Sequence, residues 1–235
     1  KWDSVMSEPT QKLETDEVEQ STPTTERVVD GGKVGLSEHD IRHNMIFVIM
    51  LDSIFTMGAT DIGVALAPMW VYLGASNSLI GLIQGLGVLG MASVALIPFI
   101  SRKFRYKKWL LFIVQIPYVG MWGLIGLALI LGPRFGIEKD SLLTICAVAI
   151  VAQAFFYGFT GVPHQEYVAA CIPMSHRGRF TGYSWAIGGV LGLGVAFAGK
   201  LVLDRFEQPM SIGVLFLMSW FVCQFGYIFA LFGRE

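Results

Sequence analysis

The chain has 235 residues, of which 54% are hydrophobic and 15% are charged, with a formal net charge of -1 at pH 7. This composition lies well outside that of ordinary soluble domains. Its three cysteines show no paired or metal-like spacing, which argues against a disulfide framework or a zinc site.

The first 44 residues differ sharply from the rest of the chain. They hold ten of the eighteen acidic residues, only five basic residues and almost no aliphatic cluster. Such a segment cannot bury enough apolar surface to repay the entropy lost on ordering. We therefore predict a disordered acidic cytoplasmic tail over residues 1–44. A solvating tail is the favoured interpretation, and recruitment of a partner is the alternative.

From Met45 onward the chain is a series of apolar stretches. Each is close to the ~20 residues that a helix needs to cross ~30 Å of hydrocarbon. The stretches are too long and too uniformly apolar for barrel strands, and a helix satisfies its own backbone polar groups in lipid. We predict an all-α membrane domain over 45–235 with six transmembrane helices, near 45–73, 78–100, 109–132, 142–163, 180–203 and 210–232.

The charges between the predicted helices indicate their orientation. Residues 101–108, between helices 2 and 3, contain five basic residues and no acid, and the connection between helices 4 and 5 is also basic. Of the other three links, the one near 74–78 is uncharged, residues 133–141 carry balanced charges, and residues 204–209 set Arg205 against Asp204 and Glu207. Short loops rich in Lys and Arg stay in the cytoplasm. We therefore predict a multi-pass protein of a plasma membrane or bacterial inner membrane, with both termini in the cytoplasm.

Helix 1 carries two carboxylates, Asp52 and Asp61. A charge at this depth costs ~2.5–3.5 kcal/mol on insertion scales, so each needs compensation. Nine residues correspond to about 900° of helix rotation, so the two acids face opposite sides and do not form a paired site. Asp61 is either a protonation or cation-binding group in a central cavity or a structural group bonded to neighbouring helices. Asp52 lies nearer the cytoplasm, where hydrated headgroups are within reach.

Helix 4 carries a stripe of polar side chains. Gln153, Tyr157, Thr160 and His164 fall at i, i+4, i+7 and i+11, which places them on one face of the helix. This face is expected to avoid lipid, either to line a substrate or proton pathway or to form interhelical hydrogen bonds of ~0.6 kcal/mol each. His164 is expected to be an interfacial residue because it lies at the cytoplasmic end.

Helix 5 is rich in glycine. Gly188 and Gly192 have the Gly-x-x-x-Gly spacing that permits two helices to approach closely. We interpret these glycines as packing positions in preference to substrate contacts.

The chain shows no pattern that indicates an enzyme. It has no phosphate-cradling loop, no nucleophile with a placed base and no cluster with metal-ligand spacing. His164 and Glu166 are two residues apart on a helix and point in different directions, so they do not suggest a metal site. We predict no catalytic residues, no cofactor and no metal.

Three strings, taken in chain order, resemble the amino-terminal half of a major facilitator superfamily (MFS) transporter. They are LGAS at 73–76 followed by LIGLI at 79–83, the basic loop at 101–108, and IP at 172–173 with RGRFTG at 177–182. The basic loop occupies the position of the family's Gly-x-x-x-Asp-Arg-x-x-Arg signature. The resemblance covers the six predicted helices, which correspond to half of a full transporter.

The resemblance implies a half built from two inverted three-helix repeats, with helices 1 and 4 lining a central cavity. It therefore implies that the polar stripe of helix 4 faces Asp61. It also suggests a gating role for Arg102 and Arg105, which match the signature of the loop between helices 2 and 3. The alternative is that this loop only sets the topology and contacts anionic headgroups. Ser101 stands where the family places an acid that helps to hold two halves together, and Ile97 stands in place of its leading glycine.

These features favour secondary transport, in which a small solute crosses by alternating access. The candidates for the substrate or proton pathway are Asp61, Asp52, Gln153, Tyr157 and Thr160. The alternative is a non-transporting structural or assembly subunit derived from the family and packed against a larger membrane complex. The expected partners are the lipid bilayer, a small-molecule solute, and a second six-helix half in the same or a separate chain or that larger complex. Nucleic acid is not expected.

Overall fold

The computed structural model describes residues 37–234, which fold into helices joined by short links. No strand occurs in this part of the chain. Most of the acidic tail predicted over 1–44 lies outside the described residues. From Glu38 the chain is helical, so the first long helix begins within the predicted tail.

Six helices of the described region are long and apolar enough to cross a membrane, as expected of a multi-pass membrane protein. The predicted number of helices is thus confirmed. A 3-10 segment over Met91–Leu96 interrupts the second helix, and another over Phe229–Phe232 ends the sixth. The bounds are α1 Glu38–Leu73, α2 Asn77–Ser101, α3 Lys107–Leu131, α4 Lys139–Cys171, α5 Met174–Arg205 and α6 Met210–Phe232.

Several helices extend beyond the predicted apolar stretches. The first begins at Glu38 instead of 45, the fourth ends at Cys171 instead of 163, and the fifth begins at Met174 instead of 180. Hydropathy detects only the part of a helix that matches the hydrocarbon, whereas the helix itself continues into polar residues. In the first turn of α1, the negative charge of Glu38 interacts favourably with the helix dipole, and its carboxylate pairs with Arg42 at 3.0 Å.

The six helices pack around a centre made of α1, α3, α4 and α6. Extensive contacts join α1 to α5 and α6, and join α3 to α4 and α6. The second helix packs against α4, and smaller contacts join α1 to α4 and α5 to α6. The helices α2 and α5 therefore flank the bundle, and much of their surface is left exposed.

Glycines set the close approach of α5 to α1, as the sequence predicts. A Cβ atom added at Gly188 would lie 2.9 Å from the Cβ of Thr56, and one added at Gly192 would lie 2.9 Å from the Oγ1 of Thr60. Both distances are shorter than ordinary van der Waals contact. The packing interpretation of these two glycines is confirmed.

One end of the bundle is tied together by polar side chains, and we call it the basic end. There the buried Asn44 donates to the carbonyl oxygens of Cys171 at 3.0 Å and Arg234 at 2.9 Å, and accepts from the Arg234 N–H at 2.9 Å. Lys107 pairs with Glu166 at 3.0 Å. The starts of α1 and α3 and the ends of α4 and α6 therefore meet at this end.

The outer surface of the bundle carries large apolar side chains. Val71, Phe99 and Leu193 are among the most exposed of them. Soluble monomers rarely expose so much contiguous apolar surface, because water solvates it poorly. In lipid these side chains are solvated by hydrocarbon, so their exposure carries no such penalty.

Candidate functional site

A polar cavity of about 230 Å³ opens between α1, α4, α5 and α6. Its lining combines groups that exchange protons or form hydrogen bonds with aromatic rings. The residues that carry its chemistry are Asp52, Thr56, Tyr157, Thr160, His164 and Trp185. A pocket with apolar walls and a few convergent polar groups is the usual form of a small-molecule site.

Asp52 and His164 form the central pair of the cavity. The Nε2 of His164 lies 2.8 Å from the Oδ1 of Asp52, and the two side chains are 24% and 22% exposed. The pair joins α1 to α4 and supplies the compensation that a carboxylate needs at this depth. A carboxylate beside an imidazole can exchange a proton and can form hydrogen bonds with a polar solute.

Two threonines border this pair but keep their hydroxyl protons within their own helices. Thr56 donates to the carbonyl oxygen of Asp52, and Thr160 donates to that of Tyr157, each at 2.8 Å. Once these bonds are made, each hydroxyl offers only acceptor lone pairs to the cavity. They are suited to a solute that presents hydrogen-bond donors.

Aromatic rings form one wall of the cavity. Phe55 lies 5.8 Å from Tyr227 and 6.1 Å from Tyr118, measured between ring centroids, and Tyr118 lies 5.4 Å from Tyr157. Gln153 is not among the residues that line the cavity, and its side chain lies near Tyr118.

Asp61 lies elsewhere, so the expectation that the stripe of α4 faces it is wrong. Its side chain is 3% exposed and bonded to Ser219 of α6, and the residues that line the cavity include Asp52 instead. The prediction that the two acids face opposite sides of α1 is confirmed.

One residue of the cavity was interpreted differently from the sequence. His164, expected at the interface, pairs with Asp52 in the cavity, which Trp185 of α5 also borders. Thr56 was not singled out, although it follows Asp52 by four residues and so lies on the same face of α1. The four-residue spacing from Asp52 was the sequence signal that could have identified Thr56.

The loop between α2 and α3 lies apart from the cavity. Arg102 and Arg105 are exposed there. Ser101 donates to Glu166, with Oγ 2.7 Å from Oε2, and Lys107 pairs with the same oxygen at 3.0 Å. Glu166 of α4 thus supplies the carboxylate that both Ser101 and Lys107 contact.

Comparison of the chain with protein-family models, with curated proteins and with solved structures found no match. Across residues 37–234 no group of three or more His, Cys, Asp or Glu side chains is placed to hold a metal ion.

Proposed function

We propose that this chain is one six-helix half of a secondary transporter related to the major facilitator superfamily, and that it moves a small solute by alternating access. The observation that carries the proposal is the cavity between α1 and α4 with its Asp52–His164 pair. Ionisable residues inside membrane domains usually mark substrate or ion pathways. The family resemblance points to the same two helices.

The pattern of helix contacts supports two inverted repeats. Exchanging α1 with α4, α2 with α5 and α3 with α6 converts the α1–α5 contact into α4–α2 and the α1–α6 contact into α4–α3. The α1–α4 and α3–α6 contacts convert into themselves. Successive membrane crossings alternate in direction, so α1 and α4 run oppositely, which fits an inverted relation between the two sets of three helices. The smaller α5–α6 contact departs from the pattern.

The distribution of charge supports an orientation with both termini in the cytoplasm. Arg102, Lys103, Arg105 and Lys108 accompany Lys107 at the basic end, whereas the links at the other end carry no excess of basic residues. Short loops with excess Lys and Arg stay on the cytoplasmic side. We therefore place the basic end in the cytoplasm, in a plasma membrane or bacterial inner membrane.

Alternating access in such a protein uses two six-helix units that rock about a shared site. In this proposal the cavity supplies one side of that site, and the second unit comes from the same or another chain. The solute forms hydrogen bonds with Asp52 and His164 and stacks against Trp185 and Phe55. The cluster of Ser101, Glu166 and Lys107 then provides the polar contact at the cytoplasmic gate, beside Arg102 and Arg105.

The test is uptake into liposomes that contain the full-length protein. The liposomes are incubated with a 13C-labelled metabolite extract, and their contents are measured by mass spectrometry. We expect one or more solutes to accumulate with the native protein, and accumulation to fall at least about tenfold in Asp52→Asn, since losing one charged partner of such a pair costs over ~1.4 kcal/mol.

Asp140→Asn is the matched control, because this exposed acid lies at the start of α4 away from the cavity. It is expected to retain native uptake. Contents equal to those of protein-free liposomes, with the native protein folded, would contradict the transport proposal.

A second candidate function is that of a non-transporting assembly subunit. The observation that favours it is an open apolar groove of about 610 Å³ between α2 and α4, lined by residues such as Leu82, Leu86, Val148 and Phe155. A helix of another membrane protein could fill such a groove. Isolation of a stable, stoichiometric complex without uptake activity would favour this function.

A further inference from the structure

Asp61 lies in a tight seam where α1 meets α5 and α6. Asp61 is only 3% exposed, and its Oδ2 lies 2.9 Å from the Oγ of Ser219 on α6. A Cβ atom added at Gly199 of α5 would lie 3.1 Å from its Oδ1. The titratable Cys223 of α6 also lies near Asp61.

No cation compensates Asp61 in the part of the chain that the structure describes. The ion pairs of residues 37–234 do not include it. Lys200 follows Gly199 on α5 but is exposed. Asp52, the other acid of α1, is engaged with His164 in the cavity.

The hydrogen bonds around Ser219 indicate where a proton lies. The Ser219 Oγ is 2.9 Å from Asp61 Oδ2 and 3.0 Å from the carbonyl oxygen of Leu215. A hydroxyl has one proton to donate, and Ser in a helix commonly donates it to the carbonyl four residues earlier. If Ser219 donates to Leu215, the contact with Asp61 becomes a hydrogen bond only when the carboxyl group carries the proton and donates it to Oγ.

The second carboxyl oxygen favours the same state. Among the described residues no side-chain or backbone group donates to Asp61 Oδ1, although the atom is buried. A buried anion without a donor is far more costly than a buried neutral carbonyl without one. A neutral carboxylic acid therefore fits the seam, and a carboxylate does not.

We propose that Asp61 is a proton-binding site, which holds its proton while the seam between α1, α5 and α6 is closed and releases it to water only when the seam opens. The proton leaves the carboxyl oxygen to a water molecule and the carboxylate that remains is then solvated. This inference rests on the geometry of the seam, and it stands whether or not the chain transports a solute.

Infrared spectroscopy of the full chain in lipid tests the first part of the proposal. A protonated carboxyl group gives a C=O stretching band above the amide I region, and the band shifts down after exchange into D₂O. At neutral pH we expect this band in the native protein and in Asp52→Asn, and its loss in Asp61→Asn, which keeps the size of the side chain. Absence of the band from the native protein, or its persistence in Asp61→Asn, would overturn the assignment.

The rate at which the band shifts in D₂O tests the second part, because exchange requires water to reach Asp61. In Gly199→Ala the added methyl group lies too close to Oδ1 and should destabilise the closed seam. Overpacking typically costs enough free energy to change an equilibrium about tenfold, so we expect exchange to be about tenfold faster. Gly194→Ala is the control on the same helix, since its Cβ would meet no atom within 4 Å. Equal exchange rates in both variants would refute control by the seam.

If Gly199→Ala does not fold, Ser219→Ala provides the second measurement. It removes the hydroxyl that accepts the proposed proton, so the carboxyl band should move to higher frequency and remain present. A band that disappears in Ser219→Ala would show that the acid is not held neutral by its buried position.

Discussion

The seam between α1 and α5 allows a quantitative prediction about Gly188→Ala. The added Cβ would lie 2.9 Å from the Cβ of Thr56, 3.1 Å from its Cγ2 and 3.2 Å from its Oγ1. Ordinary contacts between carbon atoms are about 3.5–4.0 Å long. The Cβ of Thr56 is bonded directly to the backbone and cannot rotate away, so the two helices must separate by roughly 0.5–1 Å to restore such a contact.

The neighbouring Gly189 provides the reference for the magnitude. A Cβ atom at Gly189 would meet nothing within 4 Å, so Gly189→Ala changes only the helix propensity, a gain of about 0.5–1 kcal/mol. Gly188→Ala has the same gain and also the cost of overpacking, typically about 1–3 kcal/mol. The propensity terms cancel in the difference. Gly188→Ala should therefore be less stable than Gly189→Ala by about 1–3 kcal/mol.

The free energy of unfolding can be measured in mixed micelles by raising the fraction of a denaturing detergent and following helix content by circular dichroism. Comparison of the two variants in the same micelles removes the uncertainty of the extrapolation. Equal stability of the two variants within about 0.5 kcal/mol would refute the close approach of α5 to Thr56.

Two further predictions concern the basic end. Glu166→Gln should speed tryptic cleavage of the loop between α2 and α3 about fivefold, because loss of the partly exposed Lys107–Glu166 ion pair costs up to about 1 kcal/mol. The control is Glu138→Gln, at the other end of α4, which should leave the cleavage rate unchanged. An unchanged rate in Glu166→Gln would mean that this carboxylate does not hold the loop. Arg105→Cys should react with a membrane-impermeant maleimide only from the cytoplasmic side, and Phe135→Cys only from the outside. The background reaction should be low because the native cysteines are buried. The reverse pattern would invert the proposed orientation.

The membrane helices were predictable because hydrocarbon thickness fixes the length of an apolar stretch. The ends of the helices were less predictable, because the turns beyond the hydrocarbon depend on helix-starting residues and on local ion pairs. In α5 the sequence did hold a signal for the earlier start, because Pro173 immediately precedes Met174 and proline is well tolerated where a helix begins. In α1 the helix reaches Glu38 with support from Arg42.

The candidate site was predictable in its parts and not in its pairing. The rotation between Asp52 and Asp61 and the shared face of Tyr157 and Thr160 follow from helix geometry alone. The pairing of Asp52 with His164 depends on the relative height of two helices whose residues are 112 positions apart in sequence. Local periodicity holds no information about that height. The basic end fixes it, through contacts that only the folded chain brings together.

The two acids of α1 connect the two proposals physically. One face of this helix meets α4 at the cavity through Asp52, and the opposite face meets α5 and α6 around Asp61. A packed helix moves as a stiff body, so a displacement of α1 that opens the seam at Asp61 also changes the distance from Asp52 to His164. Binding energy at either site then biases the same displacement, which is the requirement for reciprocal coupling. If both proposals hold, proton and solute need no contact with each other, because the helix that carries both acids would transmit the change.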